Sequence, residues 1–217
     1  MQATAHLYIV TDNQILNPAV YLSAARARHV GAPALAAGET RTGPPDSLGS
    51  LLLYFTLAAR LDPLTALNAA SAVGADRFVR YQRSGTPCLR AAVASGSTGG
   101  TGSIVDALRR WAAAGPPGSA SVDGNGPVVT LQACDPGAGA LPADRRMTDA
   151  ETQLGNRAAL MSQAIDGGLA VPVAQCAADR LFADPALAPV LATSNPTQAQ
   201  IDQLSGAAQR AAMACTS

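Results

Sequence analysis

The chain contains no lysine, only two glutamates, Glu39 and Glu151, and only two histidines, His6 and His29. Its fifteen basic residues are all arginines, and fifteen acidic residues balance them to a formal net charge of zero. Arginines scattered over a neutral chain exert no bulk pull on nucleic acid or acidic lipid, so a nucleic-acid partner is not expected. So few histidines and glutamates also leave little material for acid–base or metal chemistry. Aromatic residues are 4% of the chain, too few to set Trp111 in a sugar-stacking platform. No apolar run reaches the length that spans a bilayer. The longest, Leu48 to Ala59, reads as a buried helix. Residues 1–6 lack the basic start and apolar stretch of a secretory leader.

What the chain does hold is four cysteines, and they fall into two local pairs. Cys88 and Cys134 bracket a strand–helix–hairpin pattern; Cys176 and Cys215 bracket a pair of helices. Each pair lies inside one packing unit, so each can be bridged without stapling distant parts together. Four cysteines could instead ligate zinc, but metal sites favour close CxxC-type spacing and none occurs, so structural disulfides are the stronger reading. Stable disulfides place the chain outside the cytoplasm, secreted or associated with the cell envelope. That compartment needs an export route, and the expectation is an upstream signal or anchor in a longer protein. At 217 residues the chain can bury about 70% of its unfolded surface, enough for a core without cofactors.

The pattern predicts an α+β chain: N-terminal helices over 1–75, a central antiparallel ββαββ unit over 76–137, and a C-terminal disulfide-linked helical module over 148–217. Residues 6–11 read as a strand, and Asn17-Pro18 starts a helix that Gly31 stops. A loop is expected over 31–46. Asp46 then caps an apolar helix with Leu48, Leu51, Leu52, Phe55 and Ala59 as core, and Asp62-Pro63 starts a second helix. Strands over 77–81 and 88–94 flank a turn at Ser84-Gly85. A Ser/Gly/Thr loop, 95–103, leads to a helix carrying Ile104, Leu108 and Trp111. Asp123-Gly124-Asn125-Gly126 then turns a hairpin. Beyond a Gly/Pro linker, 135–147, Thr148 and Glu151 form a capping box, with Ala150, Leu154, Ala158, Met161 and Ile165 on one face. A helix near 173–183 places Val173, Cys176, Ala177, Arg180 and Leu181 on a stripe. Thr197 and Gln200 open the last helix, striped by Ile201, Leu204, Ala208, Ala211 and Cys215.

Three stretches share a pattern. Leu48-Gly49, Leu53-Tyr54 and Val73-Gly74-Ala75-Asp76-Arg77-Phe78-Val79 form the first. Thr86-Pro87-Cys88-Leu89-Arg90 with Ala107 to Ala112 form the second, and Val129 to Gly137, ending Cys134-Asp135-Pro136-Gly137, the third. Over residues 46–137 the chain resembles the C-terminal portion of actinobacterial exported proteins related to HExxH zinc metallopeptidases. That portion carries a Trp-Gly-Gly-Asp-Arg signature, then a cysteine, then Cys-Asp-Pro-Gly. Here the signature tryptophan is Val73 and its second glycine is Ala75. The resemblance makes Asp76, Arg77 and Trp111 structural-signature candidates. It carries over no active site, because zinc binding there needs two histidines four apart beside a glutamate, and no HExxH occurs.

Other chemistry fares no better. The loop 95–103 could cradle phosphate with backbone N–H groups, yet it lacks the Gly-Lys-Ser/Thr ending, and a plain connection is the simpler reading. No Gly-x-Ser-x-Gly elbow occurs. His29 near a helix end caps carbonyls rather than serving a triad, Asp179-Arg180 is a surface couple, and Trp111 is core. No catalytic residue, metal ligand or cofactor is therefore assigned. The leading expectation is a non-catalytic exported or envelope protein acting as an interaction or structural module on a protein partner. Two alternatives are the accessory region of a zinc metallopeptidase, and an extracytoplasmic binder of a small molecule or glycan through an apolar pocket.

Overall fold

The computed structural model describes residues 12–16, 29–97, 99–138 and 144–216. The expected strand at 6–11, the helix start at Asn17-Pro18 and His6 lie outside these residues. The chain is α+β and divides into two compact units, residues 1–142 and 143–217.

The first unit is built on a five-stranded antiparallel sheet. Its strands are β1 (Glu39–Arg41), β2 (Val73–Arg83), β3 (Thr86–Ser95), β4 (Ala120–Asp123) and β5 (Val128–Cys134), in the order β1-β2-β3-β5-β4. The β2–β3 hairpin turns at Ser84 and Gly85, both with positive φ (51° and 82°), the twist-matched two-residue loop that the sequence marked. Its helices are α1 (Asn13–Leu16), α2 (Gly49–Ala58), α3 (Pro63–Ser71) and α4 (Gly100–Ala113). Asp62 caps α3 by accepting the Thr65 N–H at 2.9 Å, with Pro63 in the first turn. The helices expected as a separate segment up to residue 75 pack in the same unit as the sheet, and Val73–Ala75 open β2.

Several expectations are corrected here. The loop over 31–46 contains β1, a three-residue edge strand paired with Arg83, Gln82 and Tyr81. It is too short and polar to show an alternating pattern. The Ser/Gly/Thr loop is also shorter than expected, because α4 begins at Gly100. Helix α2 buries Leu53, Tyr54, Leu57 and Ala58, while Leu52 is half exposed. Apolar residues surround nearly the whole of α2, so periodicity alone could not choose its inward face. The core continues through Phe78, Val79, Ala91, Val93, Val129 and Leu131 of the sheet and Ile104 and Leu108 of α4.

The second unit holds α5 (Asp144–Asp166), α6 (Val171–Ala183), α7 (Ala188–Leu191) and α8 (Gln198–Thr216). Helix α5 starts four residues before Thr148, so the expected Thr148–Glu151 capping box lies within the helix. Ala150 and Met161 are buried as expected, but Ala158 is exposed and Arg157 is buried in its place. At α8 the expected capping box is made. The Thr197 N–H donates to Gln200 Oε1 at 2.8 Å, and the Gln200 N–H donates to Thr197 Oγ1 at 3.4 Å. Ile201 and Arg180, expected on the inner stripes of α8 and α6, are exposed.

Candidate functional site

Both disulfides are formed. Cys88 and Cys134 face each other directly across β3 and β5, with Cα atoms 3.9 Å apart. The Asp135 N–H donates to the Pro87 carbonyl at 2.8 Å, marking the cysteine pair as a non-hydrogen-bonded site, where opposed side chains lie closest. Cys176 on α6 and Cys215 on α8 are bridged across 6.0 Å between Cα atoms. Two disulfides fit an extracytoplasmic location, and no helix among the described residues is long and apolar enough to cross a membrane.

The signature candidates are not brought together. Asp76 and Arg77 are consecutive in β2, so their side chains leave opposite faces of the sheet. Asp76 is the cap of α2. Its carboxylate accepts the Leu48 N–H at 2.6 Å, the Gly49 N–H at 3.0 Å and the Ser47 hydroxyl at 2.7 Å. Asp12, just before α1, adds the Leu51 N–H at 2.8 Å. Two carboxylates thus neutralise the positive end of α2 from other elements. The expected cap, Asp46, instead accepts the adjacent Ser47 N–H, and its backbone pairs with Phe78. Gly49 cannot carry a side chain, since its φ is +72° and a β-carbon would collide with the Asp12 carboxylate. Trp111 is half-buried rather than core. Its indole N–H donates to the Thr56 carbonyl at 2.7 Å, and the Arg60 guanidinium lies 4.1 Å over its ring.

On the sheet face that carries the first disulfide, Arg90 joins four segments. It grips Glu39 of β1 with two bonds of 2.7 and 2.9 Å, and donates to Gln132 Oε1 of β5 and to the Ala34 carbonyl, each at 2.7 Å. The Arg90 bond holds the Glu39 carboxyl below its ordinary range, helped by the Ala36 N–H and opposed by burial. The Tyr81 ring, fully buried, lies beneath the same guanidinium at 5.0 Å, and burial pushes its phenol up. Reasoning from sequence did not single out this network, and only the rarity of glutamate pointed to Glu39. Arg90, Glu39 and Gln132 are bonded to one another as a clamp across the strands, whereas the buried Tyr81 hydroxyl beneath them has no hydrogen-bond partner among the described residues.

The second unit has a clamp of its own. Asp179, expected to pair locally with Arg180, instead accepts both Nε and Nη2 of Arg157 at 3.1 and 2.6 Å, tying α6 to α5. His29 is exposed. Among the described residues no cluster of three or more histidine, cysteine or acidic side chains could hold a metal ion. The loop 95–97 is folded on itself: Ser95 Oγ donates to the Ser97 carbonyl, and the Gly96 N–H donates to the Ala72 carbonyl.

Among the described residues, the helical module holds an open cleft. Helices α6 and α8 pack closely and are bridged, and α5 packs on α6, but α5 and α8 barely touch. Between them lie two cavities of about 330 and 270 Å³. They share Leu160 and Gln163 of α5 and Ala208 of α8 as walls. The larger is closed by Leu191 of α7 and Ile201 and Leu204 of α8; the smaller by Leu169 and by Ala174, Ala177 and Leu181 of α6. No charged side chain lines either. The polar lining of the larger cavity comes from Asn156, Thr193, Ser194 and Ser205 together with the shared Gln163. Compared with protein-family models, curated proteins and solved structures, the chain matches none of them.

Proposed function

We propose that this is a non-catalytic, extracytoplasmic binding protein: a disulfide-braced α+β scaffold carrying a helical module whose cleft receives an apolar group of its partner. The observation that carries this reading is the uncharged cleft between α5 and α8, which the chain's own side chains leave unfilled. Largely apolar pockets of this size with a few polar groups in their walls are the usual form of a binding site. The polar clusters elsewhere support the non-catalytic half, because Asp76, Glu39–Arg90 and Arg157–Asp179 are each occupied in holding elements together. Titration with Nile red, an uncharged apolar dye, should give saturable one-to-one binding with a blue-shifted emission. Absence of saturable binding, or robust peptide hydrolysis by the purified chain, would overturn the reading.

A second reading takes the chain as the accessory region of a zinc metallopeptidase. It is favoured by the placement of the resembling stretches, which all fall within the first unit. An HExxH sequence upstream in the same gene product would support it, and a gene product that starts at Met1 would remove it.

A further inference from the structure

We infer that Asn125 is a site of spontaneous chemical modification, where the chain's own backbone converts the side-chain amide to an acid. The Asp123-Gly124-Asn125-Gly126 turn leads from β4 into β5, with Gly124 to Pro127 as the connection. Its first residue is pressed against α4: a β-carbon on Gly124 would come within 2.6 Å of Val105 Cγ2. Asn125 and Gly126 stand clear. Both are exposed, and a β-carbon on Gly126 would meet nothing within 4 Å. The Asn125 N–H is engaged, donating to Asp123 Oδ1 at 3.3 Å. Neither the Asn125 carboxamide nor the Gly126 N–H has a hydrogen-bond partner among the described residues.

Those two groups are the ones that react. Glycine has no side chain to shield its amide nitrogen. Having given its proton to hydroxide, the Gly126 nitrogen attacks Asn125 Cγ. The N–Cγ bond forms, the Cγ–Nδ2 bond breaks, and ammonia leaves with a proton taken from water. The cyclic imide then takes up water at either carbonyl. Opening on one side gives aspartate; opening on the other routes the main chain through the former side chain, an isoaspartyl linkage. In sum, amide and water become carboxylate and ammonium. Asn68, Asn156 and Asn195 each lack a condition for this. The first two lie within α3 and α5, where the next N–H belongs to the helix ladder. The Asn156 amide also donates to the Leu191 carbonyl at 2.7 Å. Asn195 precedes Pro196, whose nitrogen carries no proton. Either product sets a new negative charge near Asp123 at the end of β4, the outer strand of the sheet. The isoaspartyl form also lengthens the loop, so the Asp123–Thr130 pairing is the first to loosen.

The test is incubation of the full oxidised chain at pH 6 and at pH 8, followed by peptide mapping that separates asparaginyl, aspartyl and isoaspartyl forms. Asn125 is expected to convert at least tenfold faster than Asn68, Asn156 or Asn195, and faster at pH 8 than at pH 6. Both products should be present. Gly126→Ala meets open space and should slow the conversion at least tenfold with the fold retained. Conversion no faster at Asn125 than at Asn156, aspartate as the sole product, or no effect of Gly126→Ala would overturn the inference. The comparison among asparagines uses the unaltered chain, so it decides even if that variant does not fold. Amide hydrogen exchange then separates the charge from the longer loop. Val122 and Asp123 should exchange faster in the isoaspartyl protein than in Asn125→Asp, and equal rates would refute the coupling to β4.

Discussion

Asp76 shows how one side chain can be structural without being part of a core. It sits on β2 yet answers the unpaired N–H groups at the start of α2, so it couples a helix end to a strand. Asp76→Ala should therefore cost about 2 kcal/mol, read as a lower urea midpoint of the Trp111 fluorescence transition. A loss within error would mean that water caps α2 equally well. Glu39 makes a different prediction, about pH. Its carboxyl lies below the ordinary 4.5 in the folded chain, so the folded state binds that proton less tightly than the unfolded state. The stability it contributes is complete above about pH 4.5 and is lost as pH falls through the lower folded value. In Glu39→Gln that dependence is gone, so the stability gap between the two proteins should narrow from pH 5 to pH 3. A gap unchanged at pH 3 would show that the Arg90 clamp does not perturb Glu39.

Among the elements, short local signals were legible and remote ones were not. Asp62-Pro63, Ser84-Gly85 and Thr197–Gln200 each act within four residues, and the structure uses each as the sequence implied. Asp46 was a plausible cap by position but lost to Asp76, 28 residues away from Leu48, because capping rewards geometry rather than adjacency. The α5–α6 seam shows the same limit: Arg157 looks like a surface residue in sequence, yet its side chain is 4% exposed against 36% for Asp179. Asp179→Ala leaves that guanidinium without its counter-ion and should cost about 2–3 kcal/mol, less than for a fully buried pair because Asp179 is partly solvated. Arg157→Met combined with Asp179→Ala should recover most of the loss in thermal unfolding followed by circular dichroism. Failure to recover would mean that Asp179 acts through something other than the ion pair. The cleft was beyond sequence altogether, since it arises from two amphipathic helices that barely touch.

On the scale of the whole molecule, each unit has its own core and its own bridge, and the bridges close stretches of 46 and 39 residues. Replacing Cys176 and Cys215 by serine should remove about 3–4 kcal/mol from the helical unit. The only tryptophan, Trp111, lies in the other unit, so its fluorescence transition should stay in place while the helical signal melts earlier. A matching shift in both signals would show that the units unfold as one. The α+β class and the local pairing of the cysteines were readable from composition and spacing, while the way the N-terminal helices join the sheet depended on contacts that no local pattern encodes. The order of the bridges along the chain has a consequence of its own. Four thiols can pair in three ways, but here the two bridges follow one another without nesting or crossing. A chain threaded into an oxidising space from its N-terminus would present Cys88 and Cys134 to each other before Cys176 arrives. The correct partner is then the first one met, and oxidation can proceed in step with emergence, without an isomerase to undo wrong pairs.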